Sequence, residues 1–319
     1  MAKILAVLLI IFICPASANA ADKIRIAIPG TGPFLTFPLA QKKGFFKDEG
    51  LDAEIIQIRG GTVVLSALLT GDLDYYSVVA VGARAAIQGL PIRLVACYLP
   101  APPNVLVARP EFKSVKDLKG KTIAVSGVFG NPPHVVGQMI LRHYGLDPEK
   151  EVKFLAAGDN QNRLARMNQG LVEAAVVSPP FDLAGKKMGF HVLANAYELF
   201  TYPDVGLIAS AKKIKEKPDE VKRAIKAGIK ANRYIRANRE GTVQVLIEWL
   251  KTDREIAGAT YDFLSKAIND DGNLPEKGFR LLIEDVKKPL KIDREVSFSE
   301  VADLSILREA QKELGIKGK

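Results

Sequence analysis

The stretch of residues 120–145 contains the residue order that best fits ligand binding. Its apolar, β-branched run Thr122–Val125 predicts a buried strand, which the Ser/Gly segment 126–130 ends. Asn131 then fits a helix N-cap, and Pro132 fits the first helical position, where no amide hydrogen is needed. Such a turn presents free backbone N–H groups at the positive end of a helix dipole, which suits an anionic or strongly polar ligand. An ordinary β–α connection has the same pattern, so the stretch alone leaves both interpretations open.

Residue types that perform catalysis are sparse. His134, His143 and His191 are the only histidines, and their spacing does not suit a metal site. Cys97 lies inside an apolar run and fits a small buried hydrophobe. The sequence has no nucleophile elbow, zinc-protease helix or phosphate-binding P-loop. We therefore expect no catalytic residues, no metal and no cofactor.

Residues 1–20 fit a cleaved signal peptide. A basic start and a short apolar run precede Ala18-Asn19-Ala20, which has the small-x-small pattern of a cleavage site. Cys14 follows Ile13, where a lipoprotein signal would have a small residue, so we expect cleavage after Ala20 and release into the periplasm. Cleavage would leave 299 of the 319 residues, enough for one large domain or two moderate ones.

The charge distribution argues against nucleic-acid binding. The formal net charge is +9, but lysine and arginine are spread along the chain without a dense basic block or interleaved aromatic residues. Most of these charges fit solvated faces, and a mild positive field would favour anionic ligands.

The order of predicted elements indicates an α/β protein. Strands and helices alternate from Lys23 to Ala108, and the alternation starts again at Thr122. After Lys217 the pattern becomes helical, beginning with a long amphipathic helix from Pro218 to Asn238 that carries Gly228 on its apolar side. We interpret this last block as packing around a domain.

Three segments in this order carry a family resemblance. Residues 40–51 have the form A-x-x-x-G-F-F-x-x-x-G-L, residues 71–74 read Gly-Asp-Leu-Asp, and residues 117–124 read Asp-Leu-Lys-Gly-Lys-Thr-Ile-Ala. Together the chain resembles the periplasmic substrate-binding proteins of ABC importers of the nitrate, sulfonate and taurine type. That family shares its fold with thiamine-pyrimidine synthases, and the similarity covers essentially the whole mature chain.

The resemblance implies a type II periplasmic-binding-protein fold, with two mixed sheets flanked by helices and a hinge between two lobes. We place lobe I at residues 21–109 and 203–319 and lobe II at residues 110–202. A small solute would bind where the loops after the strands converge, and hinge closure would bury it. The resemblance also implies an ABC permease as partner, and we expect a monomer that does not bind nucleic acid.

Loops that follow the predicted strands supply the candidate ligand contacts. In lobe I they are Thr31, Phe34, Thr62 (also placed to cap a helix), Ser77, Val79 and Tyr98. In lobe II and at the return crossover they are Ser126, Gly127, Phe129, Gly130, Asn131, Ser178, Pro179 and Tyr202. Ser126→Ala combined with Asn131→Ala should therefore weaken binding more than folding.

The ligand's chemistry stays open at this point. Family members often have small polar residues and glycine after strand three, whereas this chain has Ser77-Val78-Val79-Ala80, which favours a solute with an apolar body over a small hydrated anion. Arg59 and Arg84 are the basic residues nearest the predicted cleft, although their positions more often face solvent. Asp204 fits either an amine contact or a turn, and we favour the turn.

Two other functions remain possible. The same two-lobed protein could dock on a membrane receptor or kinase and act as a sensor. An enzyme on this fold would need a polar catalytic pair in the cleft. The resembled synthases use a cysteine-rich segment and histidines around iron, which this chain lacks, so we expect no such activity.

Overall fold

The computed structural model describes residues 21–30, 34–58, 60–126 and 132–317. Two five-stranded sheets organise them. The strands of the first sheet are β1 (Asp22–Ile28), β2 (Leu51–Gln57), β3 (Tyr75–Val78), β4 (Ile92–Leu99) and β10 (Val205–Ser210). The strands of the second sheet are β5 (Val105–Ala108), β6 (Thr122–Val125), β7 (Lys153–Ala156), β8 (Ala174–Val177) and β9 (His191–Asn195).

Helices cover both sheets. Those before β10 are α1 (Thr36–Lys42), α2 (Phe45–Asp48), α3 (Gly61–Thr70), α4 (Val79–Ile87), α5 (Pro132–His143), α6 (Asn160–Asn168), α7 (Phe181–Lys187) and α8 (Ala196–Leu199), with a 3-10 helix at Val115–Leu118. Those after it are α9 (Ala211–Glu216), α10 (Pro218–Ala237), α11 (Arg239–Leu250), α12 (Arg254–Ala267), α13 (Glu276–Leu290), α14 (Phe298–Val301) and α15 (Ser305–Glu313).

Both sheets are mixed, as predicted. The first has the order β2-β1-β3-β10-β4, and the second has the order β7-β6-β8-β5-β9. β1 runs parallel to β2 and β3, whereas β10 runs antiparallel to β3 and β4. In the second sheet β6 runs parallel to β7 and β8, whereas β5 runs antiparallel to β8 and β9. Each sheet therefore contains one strand that runs antiparallel to both of its neighbours: β10 in the first sheet and β5 in the second.

The position of β5 corrects the predicted lobe boundary. We assigned residues up to 109 to lobe I, but β5 pairs with β8 and β9, so the outgoing crossover is residues 100–104. The return crossover lies between α8 and β10, and the predicted boundary at residue 202 falls within it. The two crossovers are hydrogen-bonded: the Tyr202 N–H donates to the Pro100 carbonyl (2.8 Å) and the Asp204 N–H donates to the Leu99 carbonyl (2.9 Å).

Buried apolar clusters lie on both faces of each sheet. All four residues of β8 are buried, as expected for a short strand in the middle of a sheet covered by helices on both faces. The C-terminal helices pack on the first sheet, with α10 and α15 against β4 and α13 against α4. The C-terminal helices are therefore part of the layer that covers the first sheet.

Two helical stretches are interrupted. α1 ends at Lys42, and Gly44 adopts φ 80° before α2, a conformation that favours glycine. Near the C-terminus the chain forms α14 and α15 with residues 302–304 between them. One residue of that break, Ala302, pairs with Leu94 of β4, which takes its backbone out of the helix.

Gly228 allows α10 to approach β4 closely. A Cβ built at Gly228 would lie 2.4–2.7 Å from ring atoms of Tyr98, which is fully buried. Gly228→Ala should therefore lower the free energy of unfolding by about 1–3 kcal/mol, because the buried ring has to shift. Urea denaturation of the mature chain measures this change.

Gly258→Ala in α12 is the matched control, because the nearest atom to its added Cβ is the Arg239 Nη2 at 3.4 Å. Alanine favours a helix over glycine by about 1 kcal/mol, so the control should match or exceed the wild-type stability. Equal stability of the two variants would contradict the proposed contact.

Candidate functional site

The two sheets present corresponding edges toward the crossovers. In the first sheet, β3 and β4 end where β10 begins, and the Asp204 carbonyl accepts a hydrogen bond from the Val79 N–H (3.1 Å). In the second sheet, Val105 at the start of β5 pairs with Val177 at the end of β8 and with Asn195 at the end of β9. Solutes bind at such strand ends in α/β folds.

A cavity of about 590 Å³ lies between the lobes. Its second-lobe wall comes from the start of α6 and from the segment joining β8 to α7, and its first-lobe wall comes from the α11–α12 connection. Its lining includes Asn160, Ser178, Pro179, Phe181, Leu250 and Ile256. The volume falls within the range of pockets for small organic molecules, and the lining combines apolar side chains with a few polar groups.

Polar groups converge at Ser178. The Ser178 N–H donates to the Asn160 Oδ1 (3.0 Å), and the Asn104 Nδ2 donates to the Ser178 Oγ (3.4 Å). Asn104 is only 2% exposed, and its Oδ1 has no partner among the described residues. The outgoing crossover, the end of β8 and the start of α6 are therefore joined at one edge of the cavity.

Arg163 of α6 lies behind this edge. It is 4% exposed and donates to the carbonyl oxygens of Asp159 and Val176. Burial lowers the pKa of the Arg163 guanidinium to about 10, so the group stays charged at neutral pH. A positive charge therefore stands beside the end of β8.

Several predicted contacts lie at the cleft edge. Ser178 and Pro179 line the cavity. Ser126 directly follows β6 at the same edge of the sheet and is partly buried. Phe34 is partly buried and packs against the core of the first lobe. Thr62 is exposed, but it does not cap α3 as predicted, since Gly60 takes the N-cap position and Thr62 is the second helical residue.

Other predicted contacts are buried. Ser77, Val79 and Tyr98 are at most 1% exposed. Val79 packs in a core cluster, and Tyr98 packs edge-on to Phe37 with its hydroxyl donating to the Ile225 carbonyl (3.3 Å). The Ser77 Oγ has no partner among the described residues, and contact of these three residues with a solute stays a prediction. Tyr202 retains 8% exposure and packs with residues of α5 and α13 at the return crossover.

Of the other residues from the sequence analysis, six lie outside the described residues, whereas Arg84 and His134 are described. Thr31, Gly127, Phe129, Gly130, Asn131 and Arg59 lie outside the described residues, as does the predicted signal peptide. Arg84 is exposed, in agreement with its expected solvent-facing position. His134 is partly buried with its ring 4.8 Å from that of Phe154, and burial lowers its pKa.

The sequence analysis missed three contributors to the site. Asn104 and Asn160 carried no distinguishing motif, since asparagine at strand starts and helix starts is ordinary. The α11–α12 connection was assigned only to packing, yet Leu250 and Ile256 line the cavity. Its apolar residues have the same pattern whether they face a core or a cavity.

Two further searches of the described ranges gave negative results. Within them, no group of three His, Cys, Asp or Glu side chains could hold a metal ion. None of the helices described there combines the length and apolar character needed to cross a membrane.

An ion pair joins the lobes at the cavity. The Lys187 Nζ of α7 lies 2.7 Å from the Glu255 Oε2 of α12, and both side chains are more than half exposed. Glu255→Gln should weaken solute binding about twofold to fivefold at low salt, because it removes one contact of the closed arrangement, and the effect should vanish near ~0.5 M salt through screening.

Glu276→Gln is the matched control, because Glu276 forms an equally exposed pair with Arg280 inside α13. Affinity measured at two salt concentrations should not change in this control. A loss of affinity in Glu255→Gln that is independent of salt would contradict the role of the ion pair.

Sequence comparison places the chain in a known family. The model of the family described as NMT1/THI5 like matches residues 33–241, about two thirds of the chain. The chain belongs to the NMT1/THI5-like family. This match confirms the family resemblance found in the sequence.

The proteins to which this chain is similar include binding proteins and enzymes. YtlA of Bacillus subtilis, named as a binding protein, is 25% identical over 289 residues, covering 86% of this chain and 85% of YtlA. The pyrimidine phosphate synthase THI12 of Saccharomyces cerevisiae is 29% identical over 142 residues, covering 43% of this chain and 40% of THI12. The periplasmic aliphatic sulphonate binding protein SsuA of Escherichia coli has a TM-score of 0.73 at 18% identity, covering 88% of this chain and 92% of SsuA. The type II periplasmic-binding-protein fold is thereby confirmed.

Proposed function

We propose that this chain is an exported solute-binding protein that captures a small organic solute between its lobes and delivers it to the permease of an ABC importer. The cavity of about 590 Å³ with walls from both lobes is the observation that carries the proposal. A solute that touches both walls favours the closed arrangement, because its contacts are complete only there. The binding-protein names of YtlA and SsuA agree with this function.

The lining supports a solute with a polar group and an apolar body. Asn160 and Ser178 offer hydrogen bonds at one end, while Phe181, Leu250 and Ile256 offer apolar surface. A sulfonate, a carboxylate or a related compound with an aliphatic or aromatic body fits this combination. We propose that Phe34, Thr62, Ser126, Ser178 and Pro179, together with the predicted contacts outside the described residues, surround this solute.

Export follows from the predicted signal peptide, with cleavage after Ala20 and release into the periplasm. We propose that the released chain acts as a monomer, whose closed lobes are recognised by the permease. A sensor that docks on a membrane receptor or kinase would use the same closed lobes. Stimulation of permease ATPase activity by the solute-loaded chain separates transport from sensing.

The yeast synthase relative favours an enzyme as a second candidate. The synthase match covers 43% of this chain, and the hydrogen bonds of the described cavity-wall residue Ser178 run to Asn160 and Asn104, neither of which is a general base. We therefore propose binding without turnover. Unchanged solute recovered after incubation with the chain supports binding, and a converted product would establish the enzyme.

Thermal unfolding of the chain from Ala21 tests the proposal. The panel contains alkanesulfonates, nitrate, aromatic carboxylates and pyrimidines. Saturable stabilisation by at least one organic member is expected, because a ligand that binds only the folded state raises the unfolding temperature with its concentration. Absence of stabilisation across this panel and a wider solute library would contradict the proposed function.

A further inference from the structure

The cavity between the lobes has two charged side chains among its described lining residues, and both are lysines. Lys187 comes from α7 of the second lobe, and Lys251 follows α11 in the first lobe. No aspartate or glutamate belongs to this lining in the described part of the chain. Because lysine is protonated at neutral pH, the lining carries positive charge. An anion would therefore enter this cavity more readily than a cation.

The two lysines differ in their partners. The Lys187 Nζ lies 2.7 Å from the Glu255 Oε2, and the hydrogen bond to Glu255, together with the nearby Asp253 charge, raises the pKa of Lys187. That ammonium group is therefore neutralised within the protein. Lys251 is exposed and forms no ion pair with a carboxylate in the ranges that the structure describes. Its charge is therefore open to a solute.

The backbone of Lys251 adopts the left-handed conformation. Its φ is 51° and its ψ is 52° where it ends α11, and its N–H donates to the Ile247 carbonyl. Glycine is the residue that favours this conformation, because any Cβ crowds the following carbonyl oxygen. Glycine would thus serve the fold better at this position, which supports a role for the lysine side chain outside folding. Lys291 ends α13 with φ 53°, so strain by itself assigns no function, and the cavity distinguishes Lys251.

Apolar surface lies next to the free charge. Leu250 precedes Lys251, and Ile256 and Phe181 line the same cavity from the two lobes. Such surface excludes water when a solute is bound, and an ion pair beside it is screened less than one on open surface. An acidic group joined to an apolar body would therefore satisfy the ammonium group and the apolar lining together.

We propose that Lys251 selects the solute by charge, through an ion pair between its ammonium group and a sulfonate or carboxylate of the solute. The inference rests on the proposed solute-binding function and adds the residue that determines which solutes bind. The ion pair comes from the first-lobe wall, while Ser178 and Asn160 offer hydrogen bonds from the second. Neutral solutes of the same shape lack this contact, so they bind more weakly.

Matched anionic and neutral probes test this inference. The pairs are 4-methylbenzoate with 4-methylbenzamide, and butanesulfonate with butanesulfonamide. Calorimetric titration of the chain from Ala21 should show the anion of at least one pair binding about tenfold more tightly or better than its amide, because the amide lacks the charge-assisted hydrogen bond. Any anion of the wider solute library that binds is compared with its amide in the same way.

Three substitutions test whether Lys251 is the source of the preference. Lys251→Gln should weaken binding of the anion about fivefold to twentyfold and leave the affinity for the amide within about twofold of the wild type, because only the anion loses an ion pair. Lys251→Arg keeps the charge and should retain most of the preference. Lys291→Gln, which removes a lysine in the same backbone conformation outside the cavity lining, should bind both probes as the wild type does.

Lys251→Gly separates binding from folding. Without solute it should unfold at or above the temperature of the wild type, because glycine relieves the left-handed backbone. It should nevertheless lose affinity for the anion as Lys251→Gln does. A purely structural role for Lys251 would instead lower the unfolding temperature and the affinity together.

The outcomes separate the inference from the proposed function. Equal affinity for both members of every pair, or an anion preference that survives in Lys251→Gln, overturns the inference. Binding by neutral probes or neutral library compounds alone also overturns it and leaves the solute-binding function standing. Absence of binding by every probe and every library compound contradicts both.

Discussion

Asn232→Ala is expected to lower the free energy of unfolding by about 2–4 kcal/mol, since it removes three hydrogen bonds and leaves the buried Thr36 hydroxyl without its acceptor, while the Tyr98 carbonyl keeps the Asn269 N–H as a donor. Asn232 is fully buried on α10. Its Oδ1 accepts from the Thr36 hydroxyl (2.8 Å), and its Nδ2 donates to the carbonyl oxygens of Tyr98 (2.9 Å) and Asn269 (2.6 Å). The side chain therefore ties α1 and the end of β4, two elements of the first lobe, to the helical layer.

Chemical denaturation with urea measures this loss from the shift in midpoint at an unchanged slope. The control is Asn168→Ala, which removes an exposed amide at the end of α6 and should change stability by less than about 0.5 kcal/mol. A loss in Asn232→Ala no larger than in this control would show that the three groups are satisfied in another way.

The second large effect concerns the site. Asn160→Ala combined with Ser178→Ala should weaken binding of a stabilising solute about 10- to 100-fold, because two hydrogen-bonding groups of the cavity wall are removed. The free energy of unfolding should also fall, by about 1–3 kcal/mol, because the buried Asn104 amide loses the Ser178 Oγ as its acceptor. Calorimetric titration and urea denaturation on the same preparations separate the two effects.

The matched double control is Asn168→Ala with Ser66→Ala, which makes the same two replacements at exposed positions on α6 and α3. It should bind the solute as the wild type does. An equal loss of affinity in both double variants, or no loss in either, would remove the Ser178 edge from the binding site.

The local sequence predicts where a strand lies more successfully than which strands it pairs with. The short apolar run Ala174–Val177 lies between turn residues and forms β8 over these four residues, as the local pattern indicates. Val105–Ala108 predicts a strand equally well, yet it was placed in the wrong lobe. Strand pairing joins residues about 70 positions apart, and nothing within β5 specifies which sheet it enters.

Side-chain roles at strand ends depend on distant residues. Tyr98 fits both a solute-stacking and a packing role, and the decision rests on Gly228, whose missing side chain leaves room for the ring. The role of Arg163 also depends on a remote group, since its guanidinium donates to the Val176 carbonyl of β8. A polar helix such as α6 gives no local indication of that partner.

The candidate site was only partly predictable for the same reason. Ser178 and Pro179 follow a predicted strand, so their place at the cleft edge can be inferred from chain order. Leu250 and Ile256 reach the cavity through the packing of α11 and α12, which the sequence leaves unspecified.

The central claim is that the solute is held between the lobes. Hydrogen exchange measured with and without a stabilising solute tests this claim most directly. We expect slower exchange in two separate segments, Phe181–Lys187 of the second lobe and Leu250–Ile256 of the first, with little change in the distant β2. Protection confined to one lobe, or to a surface away from these two segments, would contradict a solute held between the lobes.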